Sequence, residues 1–395
     1  MAKGIVFVGI SGGVDSAVSA ALLKDSGYEV VGVFIRTWHP DFIECNEEEE
    51  RLDAMRVAAH LGIPFLSFDF SDVYKKEVAD YMISEYKTGR TPNPDVMCNK
   101  EIKFGAFLKK AISMGALVRP SAEIFVATGH YARNSSPLLR GRLGGGLKAE
   151  RKYILSKSPD ISKDQSYFLW TLKQEQLKKI LFPIGHLEKS EVRKLAKKFG
   201  LPVAEKKDSQ GICFLGAIDL KDFLKHYIKE KKGKVLNEKG EEIGHHSGVV
   251  FHTLGERHGF TITKKGPNDG AYYVVDKDVK KNILYVSQDP LRPLDTSPLA
   301  RGRNVGVDEF SSPLIRGRLG GGLNLKKTNW ISETPKENKD YTAQIRYHGE
   351  FLPCKITCAT SDVAQVIFEK SVLVDAGQSC VLYDGDICLG GGVVS

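Results

Sequence analysis

The residues with the clearest chemical potential form a glycine-rich turn near the start of the chain. Residues Ser11 to Ser16 read Ser-Gly-Gly-Val-Asp-Ser, directly behind the apolar stretch Ile5 to Ile10 and directly ahead of the helix-like stretch Ala17 to Lys24. A strand, a glycine turn and a helix N-terminus in this order direct several backbone N–H groups and the positive end of a helix dipole into one small space. That arrangement suits a phosphate. The turn therefore predicts a nucleotide site, although it has neither the Walker lysine nor the dinucleotide fingerprint.

Two cysteines elsewhere offer a second kind of chemistry. In residues 91–104, two prolines extend the chain ahead of a predicted helix, and Asp95 and Cys98 lie at its start, where the dipole favours a thiolate. Cys213 lies in a predicted loop between two glycines, with backbone freedom that buried cysteines lack. Two such thiols indicate thiol exchange. For Cys98 the alternative is simple burial, because a thiol also packs as a small apolar group.

Two charged segments could contact a polyanion. The first segment begins an apolar stretch with charged and amide side chains, those of Lys163, Asp164 and Gln165. The second is the stretch Lys221 to Gly240, which holds seven lysines and three acidic residues. The alternatives are an N-cap at Asp164 and a solvated surface for the lysines.

The elements that must position these groups alternate between strand and helix over the first half of the chain. The predicted strands are Glu29 to Ile35, Phe65 to Asp69 and Ile124 to Ala127, and the predicted helices are Glu47 to His60, Val73 to Lys87 and Ile102 to Met114. Short apolar strands spaced by helices favour a parallel sheet covered on both faces, with ligands at the carboxyl ends of the strands. The glycine turn and the segment Ala127 to Arg133 each follow directly after the carboxyl end of a predicted strand.

Beyond about residue 220 the pattern changes to short strands separated by glycine and proline turns. These strands are Tyr272 to Asp276, Asn282 to Val286, Tyr341 to Tyr347, Ala364 to Phe368 and Cys380 to Tyr383. The pattern predicts a small sheet followed by a barrel.

Composition limits the classes of protein. A chain of 395 residues that is 42% hydrophobic and 27% charged can form two or three domains. No apolar run approaches a membrane span and the first strand begins at once, so we expect a cytosolic protein. A formal charge of +8 permits a polyanionic partner. Seven scattered cysteines argue against a secreted disulfide framework.

One sequence repeat is too exact and too short to be a structural period. Ser135 to Leu147 recurs at Ser311 to Leu323 with one change, and Ser297 to Arg303 is a partial third copy. Its Gly-Gly-Gly and Ser-Pro elements disfavour regular structure, so we expect inserted surface loops.

Taken together, the motifs resemble one family over nearly the whole chain. The hexapeptide at residue 11 resembles the PP-loop of ATP pyrophosphatases. The order of the further motifs is similar to that of the bacterial tRNA-specific 2-thiouridylases, which thiolate a wobble uridine. Those motifs are N-P-D-V-x-C-N-x-x-I-K-F, A-T-G-H-Y-A-R, K-D-Q-S-Y-F-L, S-Q-G-I-C-F-L-G, the stretch His245 to Phe260, Gln344 to Tyr347 and Gly377 to Cys380.

The resemblance implies a fold and three domains. It implies an α/β, parallel-sheet PP-loop domain of the adenine nucleotide alpha hydrolase type over residues 1–218, with an insert at 135–147. A small central, tRNA-binding domain at 219–290 and an all-β, barrel-like domain at 291–395, with inserts near 296–323, would follow.

The resemblance also implies roles for individual residues. ATP with Mg²⁺ would be bound by Gly9, Ile10, Ser11, Gly12, Gly13, Val14, Asp15, Ser16, Ile35 (where the family usually has methionine) and Gly129. The target base would meet Asn93, Pro94 and Asp95, and the tRNA would meet His130, Lys163, Asp164, Gln165, Arg346, Tyr347 and Gln378. Cys213 would carry a persulfide delivered by a cysteine desulfurase or a sulfur-carrier protein, Cys98 would be its disulfide partner, and Asp95 would act as a general base or steer the base.

Three alternatives stay open at the level of sequence. Another PP-loop synthetase would lack the paired cysteines and the β tail. A PP-loop thiolase with an iron–sulfur cluster could use Cys45, Cys98 and Cys213, although no C-x-x-C pair exists. A non-catalytic tRNA-binding relative would have no reason to keep Asp95 and both cysteines.

Overall fold

The computed structural model describes residues 3–43, 46–135, 152–207, 219–266, 269–289 and 322–395. Its strands are β1 (Ile5–Gly9), β2 (Glu29–Arg36), β3 (Phe65–Asp69), β4 (Ile124–Ala127), β5 (Ala132–Ser135), β6 (Ile154–Lys157), β7 (Ile180–Leu181), β8 (Gly233–Leu236), β9 (Glu242–His246), β10 (Phe260–Ile262), β11 (Tyr273–Asp278), β12 (Ile283–Ser287), β13 (Gly322–Trp330), β14 (Asp340–Gln344), β15 (Leu352–Ala359), β16 (Val363–Phe368), β17 (Ser379–Asp384) and β18 (Ile387–Val394). Its α-helices are α1 (Val14–Asp25), α2 (Glu47–Leu61), α3 (Ser71–Tyr74), α4 (Tyr81–Lys87), α5 (Pro94–Met97), α6 (Phe107–Val118), α7 (Gln174–Leu177), α8 (Lys189–Lys198) and α9 (Leu220–Lys225).

The first domain contains a parallel sheet in the order β3-β2-β1-β4-β7. Alternate residues of β1 point to opposite faces, and both faces are apolar. Ile5 and Phe7 pack into one hydrophobic cluster, whereas Val6 and Val8 pack into a second cluster with residues of α1, α2 and α8. The predicted parallel sheet with two covered faces is confirmed.

Two helical segments contain wide turns with i→i+5 hydrogen bonds. Lys75–Asp80 joins α3 to α4, and Cys98–Ala106 joins α5 to α6. The helical path that includes α6 therefore begins at Pro94, eight residues before the predicted start at Ile102. The early start has a local cause, since the Asn93 side chain accepts a hydrogen bond from Val96 N and Pro94 occupies the first helical position.

The second half of the chain forms two sheets. The central sheet has the order β10-β9-β8-β12-β11. The C-terminal strands run in the order β13-β16-β15-β14-β17-β18, and pairing of β13 with β18 closes them into an antiparallel barrel. The predicted small sheet followed by a barrel is confirmed.

A hairpin from the first domain extends the barrel sheet. Strands β5 and β6 pair with each other, and Ser156 of β6 pairs with Ile387 of β18. The first domain and the barrel therefore share backbone pairing, which fixes their relative position beside the end of β4.

The repeated segments differ from the prediction at their edges. Ser135 is the last residue of β5, and Gly322 and Leu323 begin β13, where Leu323 is 1% exposed. The prediction of surface loops is therefore wrong at these ends, because strand pairing continues into both copies. The rest of both copies lies outside the described residues, as does Ser297 to Arg303.

Within the described part of the chain, no helix is long and apolar enough to span a membrane.

Candidate active site

The glycine turn forms a cradle between β1 and α1. Gly12 has a φ of +73°, and a Cβ there would lie 2.5 Å from the carbonyl oxygen of Glu50, so only glycine fits. Gly13 is the N-cap of α1, and no side chain caps the helix there. The Ser16 hydroxyl donates to Gly13 O at 3.1 Å and accepts from Ser11 N at 3.2 Å. The open first turn of α1 can therefore donate to an anion.

Asp15 carries an ion pair that the sequence did not reveal. Its carboxylate accepts hydrogen bonds from Lys189 Nζ at 2.7 and 2.9 Å and from the Tyr131 hydroxyl at 2.8 Å. Lys189 is the first residue of α8, where the helix dipole disfavours a cation. A lysine at that unfavourable position indicates that Lys189 serves another purpose, which is the ion pair with Asp15.

Gly129 permits close packing between the end of β4 and the glycine turn. A Cβ on Gly129 would lie 2.7 Å from Ser16 N. The Ile35 side chain of β2 lies beside Gly9, 3.7 Å from where a Cβ would be. Ile10 is 1% exposed and its N–H donates to Val33 O, so it holds the turn on the sheet.

Residues just before the predicted Cys213 loop are fixed beside the glycine turn. Lys206 Nζ contacts Asp53 Oδ2 at 2.7 Å, and the Asp53 Cβ lies 3.1 Å from the position of a Cβ on Gly12. The hydrogen bond from Lys206 opposes desolvation and lowers the pKa of Asp53. Arg193 binds the carbonyl oxygens of Ala204 and Lys206. Cys213 itself lies outside the described residues.

Asp95 and Cys98 lie on the helical path that begins at Pro94. Asn99 donates to Asp95 O at 3.0 Å, and burial raises the pKa of the Asp95 carboxyl. Cys98 is 6% exposed, within the cluster that contains Ile102 and Tyr167. It directly follows the first helical turn, where the influence of the helix dipole falls off, and an activated thiolate at Cys98 stays a prediction. Its burial agrees with the packing alternative, and thiol exchange stays a prediction.

An aromatic group lies within electrostatic reach of Asp95. The centroids of the Tyr347 and Phe168 rings are 4.2 Å apart, and the Tyr167 hydroxyl donates to Ser379 O at 2.9 Å. Burial, followed by the negative charges of Asp164 and Asp95, raises the pKa of Tyr347 to about 12. Tyr347 therefore lies within electrostatic reach of both carboxyl groups.

Three predicted tRNA contacts have structural partners of their own. Asp164 is buried, and it accepts from Ser158 N at 2.8 Å and from the Ser166 hydroxyl at 2.7 Å. Burial raises its pKa. Gln165 Oε1 accepts from Tyr131 N. His130 Nδ1 lies 2.7 Å from the Thr128 hydroxyl, and burial lowers the pKa of the ring well below its ordinary value, so this histidine is neutral. Lys163 is half-buried beside them.

Arg346 and Gln378 lie where the barrel meets the other domains. Arg346 is exposed, and it donates to the carbonyl oxygens of Leu254 and Leu373 at 3.1 and 2.9 Å. Gln378 follows Gly377, where φ is +95° and a Cβ would lie 2.8 Å from Thr91 O. The turn that carries Gln378 therefore packs directly on the chain that leads to Asn93.

A buried charged group joins the three domains behind Asn93. Lys277 Nζ contacts Asp375 Oδ2 at 2.6 Å, and both side chains are nearly inaccessible. The Thr91 hydroxyl donates to the same oxygen at 2.8 Å, and Thr91 N donates to Ala376 O. Lys277 belongs to β11, Asp375 to the barrel and Thr91 to the first domain, and we call these three residues the junction.

Among the described residues, no group of three or more His, Cys, Asp or Glu side chains could hold a metal ion. Asp15 is the acidic side chain of the glycine turn, and it is already paired with Lys189.

Family models match the three domains in order. The "tRNA methyl transferase HUP domain" matches residues 4–217, the "tRNA methyl transferase PRC-barrel domain" residues 221–288, and the "Aminomethyltransferase beta-barrel domain" residues 321–394.

Curated relatives match the chain over almost its full length. The tRNA-specific 2-thiouridylase MnmA of Idiomarina loihiensis is 41% identical over 98% of this chain and 95% of that protein. The protein of the same name from Alkaliphilus oremlandii is 40% identical over 98% of this chain and 96% of that protein. Among solved structures, the U34-tRNA thiolase NcsA from Methanococcus maripaludis is 18% identical, covers 57% of this chain and 68% of its own, and has a TM-score of 0.28.

Proposed function

The chain belongs to the tRNA-specific 2-thiouridylase family, and on that premise we propose a course for its reaction at the site described above. The protein is a tRNA-uridine 2-sulfurtransferase that uses ATP and acts on tRNA. The observation that carries the assignment is the identity of 41% over 98% of the chain.

ATP activates the uridine. The C2 carbonyl oxygen of uridine is a poor leaving group and must first be activated. It attacks the α-phosphorus of ATP, and the β- and γ-phosphates depart together as pyrophosphate. The open first turn of α1 and the hydroxyls of Ser11 and Ser16 bind these phosphates, while Lys189 balances the charge of Asp15. Mg²⁺ bound to the phosphates supplies further charge neutralisation. Ile35 and Gly129 complete the nucleotide pocket.

The target uridine lies against Asn93, Pro94 and Asp95. An anticodon-loop base can be splayed out of its stack into a protein pocket at modest cost. Tyr347 offers a stacking face within electrostatic reach of Asp95. Burial raises the pKa of the Asp95 carboxyl, which favours its role as a proton-transfer group over that of an ordinary exposed carboxylate.

Sulfur arrives on Cys213. A cysteine desulfurase, or a carrier protein that it loads, leaves a terminal persulfide on that residue. In one route, the terminal sulfur attacks C2, AMP leaves with the former carbonyl oxygen, and the Cys98 thiolate then cleaves the sulfur–sulfur bond to Cys213. In the other route, Cys98 attacks the persulfide first and releases hydrosulfide, which attacks C2. Both routes end in a Cys98–Cys213 disulfide that a thiol reductant must open.

The burial of Cys98 gives the disulfide step a structural requirement. Cys98 is 6% exposed, so the disulfide step requires that the buried Cys98 thiol become accessible to Cys213. Residues 204–206, which precede Cys213 in the chain, are fixed beside the glycine turn by the contacts of Lys206 and Arg193.

The test is a thiolation reaction with purified protein, tRNA, ATP and a persulfide donor, analysed by mass spectrometry of the tRNA nucleosides. We expect 2-thiouridine only when ATP and the sulfur donor are both present. Thiolation that requires an iron–sulfur cluster, detected by spectroscopy of anaerobically purified protein, or no 2-thiouridine under any condition would contradict the proposal.

A further inference from the structure

The stretch of residues 201–206 leads from α8 towards Cys213, and we call it the anchor segment. Two of its apolar side chains are buried in the hydrophobic cluster that contains residues of α1 and α2. Its backbone is bound by α8, because Arg193 Nη1 donates to the carbonyl oxygens of Ala204 and Lys206 at 3.1 and 2.5 Å. Packing and hydrogen bonds therefore both fix the anchor segment on the first domain.

An ion pair holds the end of the anchor segment on α2. Lys206 Nζ lies 2.7 Å from Asp53 Oδ2, and the two side chains are 33% and 16% exposed. Asp53 has a second cation on its own helix, since Arg56 Nη1 lies 2.8 Å from Asp53 Oδ1 and the Arg56 side chain is 63% exposed. The carboxylate would therefore keep a partner if the charge of Lys206 were removed.

The two helices that hold the anchor segment also contact the glycine turn. In α2, the Asp53 Cβ lies 3.1 Å from the position of a Cβ on Gly12. In α8, Lys189 lies four residues before Arg193, and thus on the same face of the helix, and its Nζ contacts Asp15 at 2.7 Å. Each helix therefore contacts the proposed phosphate site and, within four residues, the anchor segment as well.

Covalent geometry limits how far Cys213 can lie from these contacts. Cys213 is seven residues beyond Lys206 and six residues before Asp219, the N-cap of α9. A fully extended chain spans at most about 3.6 Å per residue, so the Cys213 Cα lies within about 25 Å of that of Lys206 and about 22 Å of that of Asp219. A contact that fixes Lys206 therefore reduces the number of positions that the Cys213 sulfur can take.

We propose that Arg193 and Lys206 are positioning residues for sulfur transfer: they hold the anchor segment on the two helices of the phosphate site, so that the Cys213 persulfide meets the activated uridine in a productive orientation. The proposal rests on the proposed function, since it assumes that Cys213 carries the sulfur. Both residues serve the sulfur-transfer step and not adenylation, because their contacts are with the anchor segment and with α2 rather than with the glycine turn.

A single-turnover reaction that reports both steps tests this division. The Cys213 persulfide is first formed with radiolabelled sulfur from a cysteine desulfurase, and tRNA and ATP are then added. Pyrophosphate release and label in the tRNA are measured in the same samples. We expect Lys206→Met and Arg193→Met to release pyrophosphate within about twofold of the wild-type rate but to transfer sulfur about tenfold more slowly, because misplacement of a reacting group by about 1 Å can cost up to about a hundredfold.

Three variants separate positioning from packing and from charge. Methionine keeps most of the apolar stem of lysine, so Lys206→Met preserves packing while it removes the ion pair. Lys206→Arg keeps a cation and should restore sulfur transfer to the wild-type rate. Arg56→Met is the matched control, because it removes the other cation of Asp53 and leaves the contact with the anchor segment in place. Circular dichroism checks that each variant is folded.

The proposal is overturned if Lys206→Met and Arg193→Met both transfer sulfur as fast as wild type does. It is also overturned if they slow pyrophosphate release as much as sulfur transfer, since both residues would then belong to the phosphate site. In either case, thiolation by the wild-type protein in the same assay leaves the proposed function standing. A wild-type protein that forms no 2-thiouridine would instead overturn the proposed function, and this inference with it.

Discussion

The balance of charge at the phosphate loop depends on one lysine that is remote in sequence. Lys189 Nζ contacts both carboxylate oxygens of Asp15, and the lysine side chain is only 15% exposed. Without it, Asp15 would present an unbalanced negative charge beside the proposed phosphate site. A partly buried ion pair would therefore adapt an acidic loop to an anionic ligand.

We expect Asp15→Ala, Ser16→Ala and Lys189→Met to suppress pyrophosphate release on a suitable tRNA, by more than about tenfold for each, because Ser16 offers a phosphate contact and either change at the Asp15–Lys189 pair leaves a partly buried charge without its partner. Persulfide formation on Cys213 should continue, since loading does not need the nucleotide. Lys197→Met is the matched control, because Lys197 lies on the same helix in an exposed ion pair with Glu205. Normal pyrophosphate release by all three site variants would refute the phosphate-loop assignment.

The two thiols have separable tasks. Replacing either Cys98 or Cys213 by Ser should abolish thiolation and leave ATP and tRNA binding within a few-fold of wild type, because a hydroxyl cannot hold or exchange sulfane sulfur. Radiolabelled sulfur from a desulfurase should load onto Cys213 only. Cys358→Ser serves as control, since Cys358 is exposed on β15. Label on Cys98 or on a barrel cysteine would reverse the assignment.

At the scale of elements, the sequence correctly predicted the strands whose ends are set by neighbouring residues in the chain. Phe65–Asp69 and Ile124–Ala127 match the prediction because apolar runs end there at turns or helix starts. For the helical path that begins at Pro94, the two predictions differ: the proline-containing segment placed Asp95 at a helix start, as observed, whereas the strand-and-helix pattern began the helix only at Ile102. The ion pair of Asp15 and the pairing of β6 with β18 join residues far apart in sequence, and no local pattern encodes them.

The junction connects the position of Asn93 to all three domains. Lys277→Met leaves Asp375 buried without its cation, which typically costs about 3–5 kcal/mol. We expect a lower melting temperature and a raised KM for tRNA, with a smaller effect on KM for ATP, because Thr91 leads to the target-base segment rather than to the phosphate loop.

A second substitution separates charge from packing at the junction. The double variant Lys277→Met/Asp375→Leu removes both charges and should recover part of the lost stability, since apolar pairs often replace buried ion pairs without loss. Lys339→Met is the control, because its ion pair with Asp384 is exposed and worth at most about 1 kcal/mol. Equal melting temperatures for Lys277→Met and wild type, measured by calorimetry, would show that the junction is not a structural link.

At the scale of the whole molecule, the positive charge of the chain should govern tRNA affinity. In the lysine-rich stretch, Lys221 pairs with Glu256 and Lys225 with Asp222, while Lys231 and Lys232 are exposed. We expect tRNA binding to weaken steeply with salt, and Lys231→Gln/Lys232→Gln to reduce the salt slope by up to about two units, one per phosphate contact. Filter binding at several salt concentrations measures the slope. An unchanged slope would show that these lysines only solvate the surface.

Deletion of the repeated segments would show whether the fold and tRNA binding depend on them. Ser135 pairs with Ile154 across the β5–β6 hairpin, so a deletion of residues 136–147 still leaves six residues to connect the strands. Deleting 136–147 or 311–321 should change tRNA affinity by less than about tenfold, the factor that corresponds to 1.4 kcal/mol. Extending the second deletion through Leu323 should instead lower the melting temperature, because Leu323 is 1% exposed in the barrel core. A much larger loss of affinity after the shorter deletions, in protein that circular dichroism shows to be folded, would place the repeats in the tRNA site.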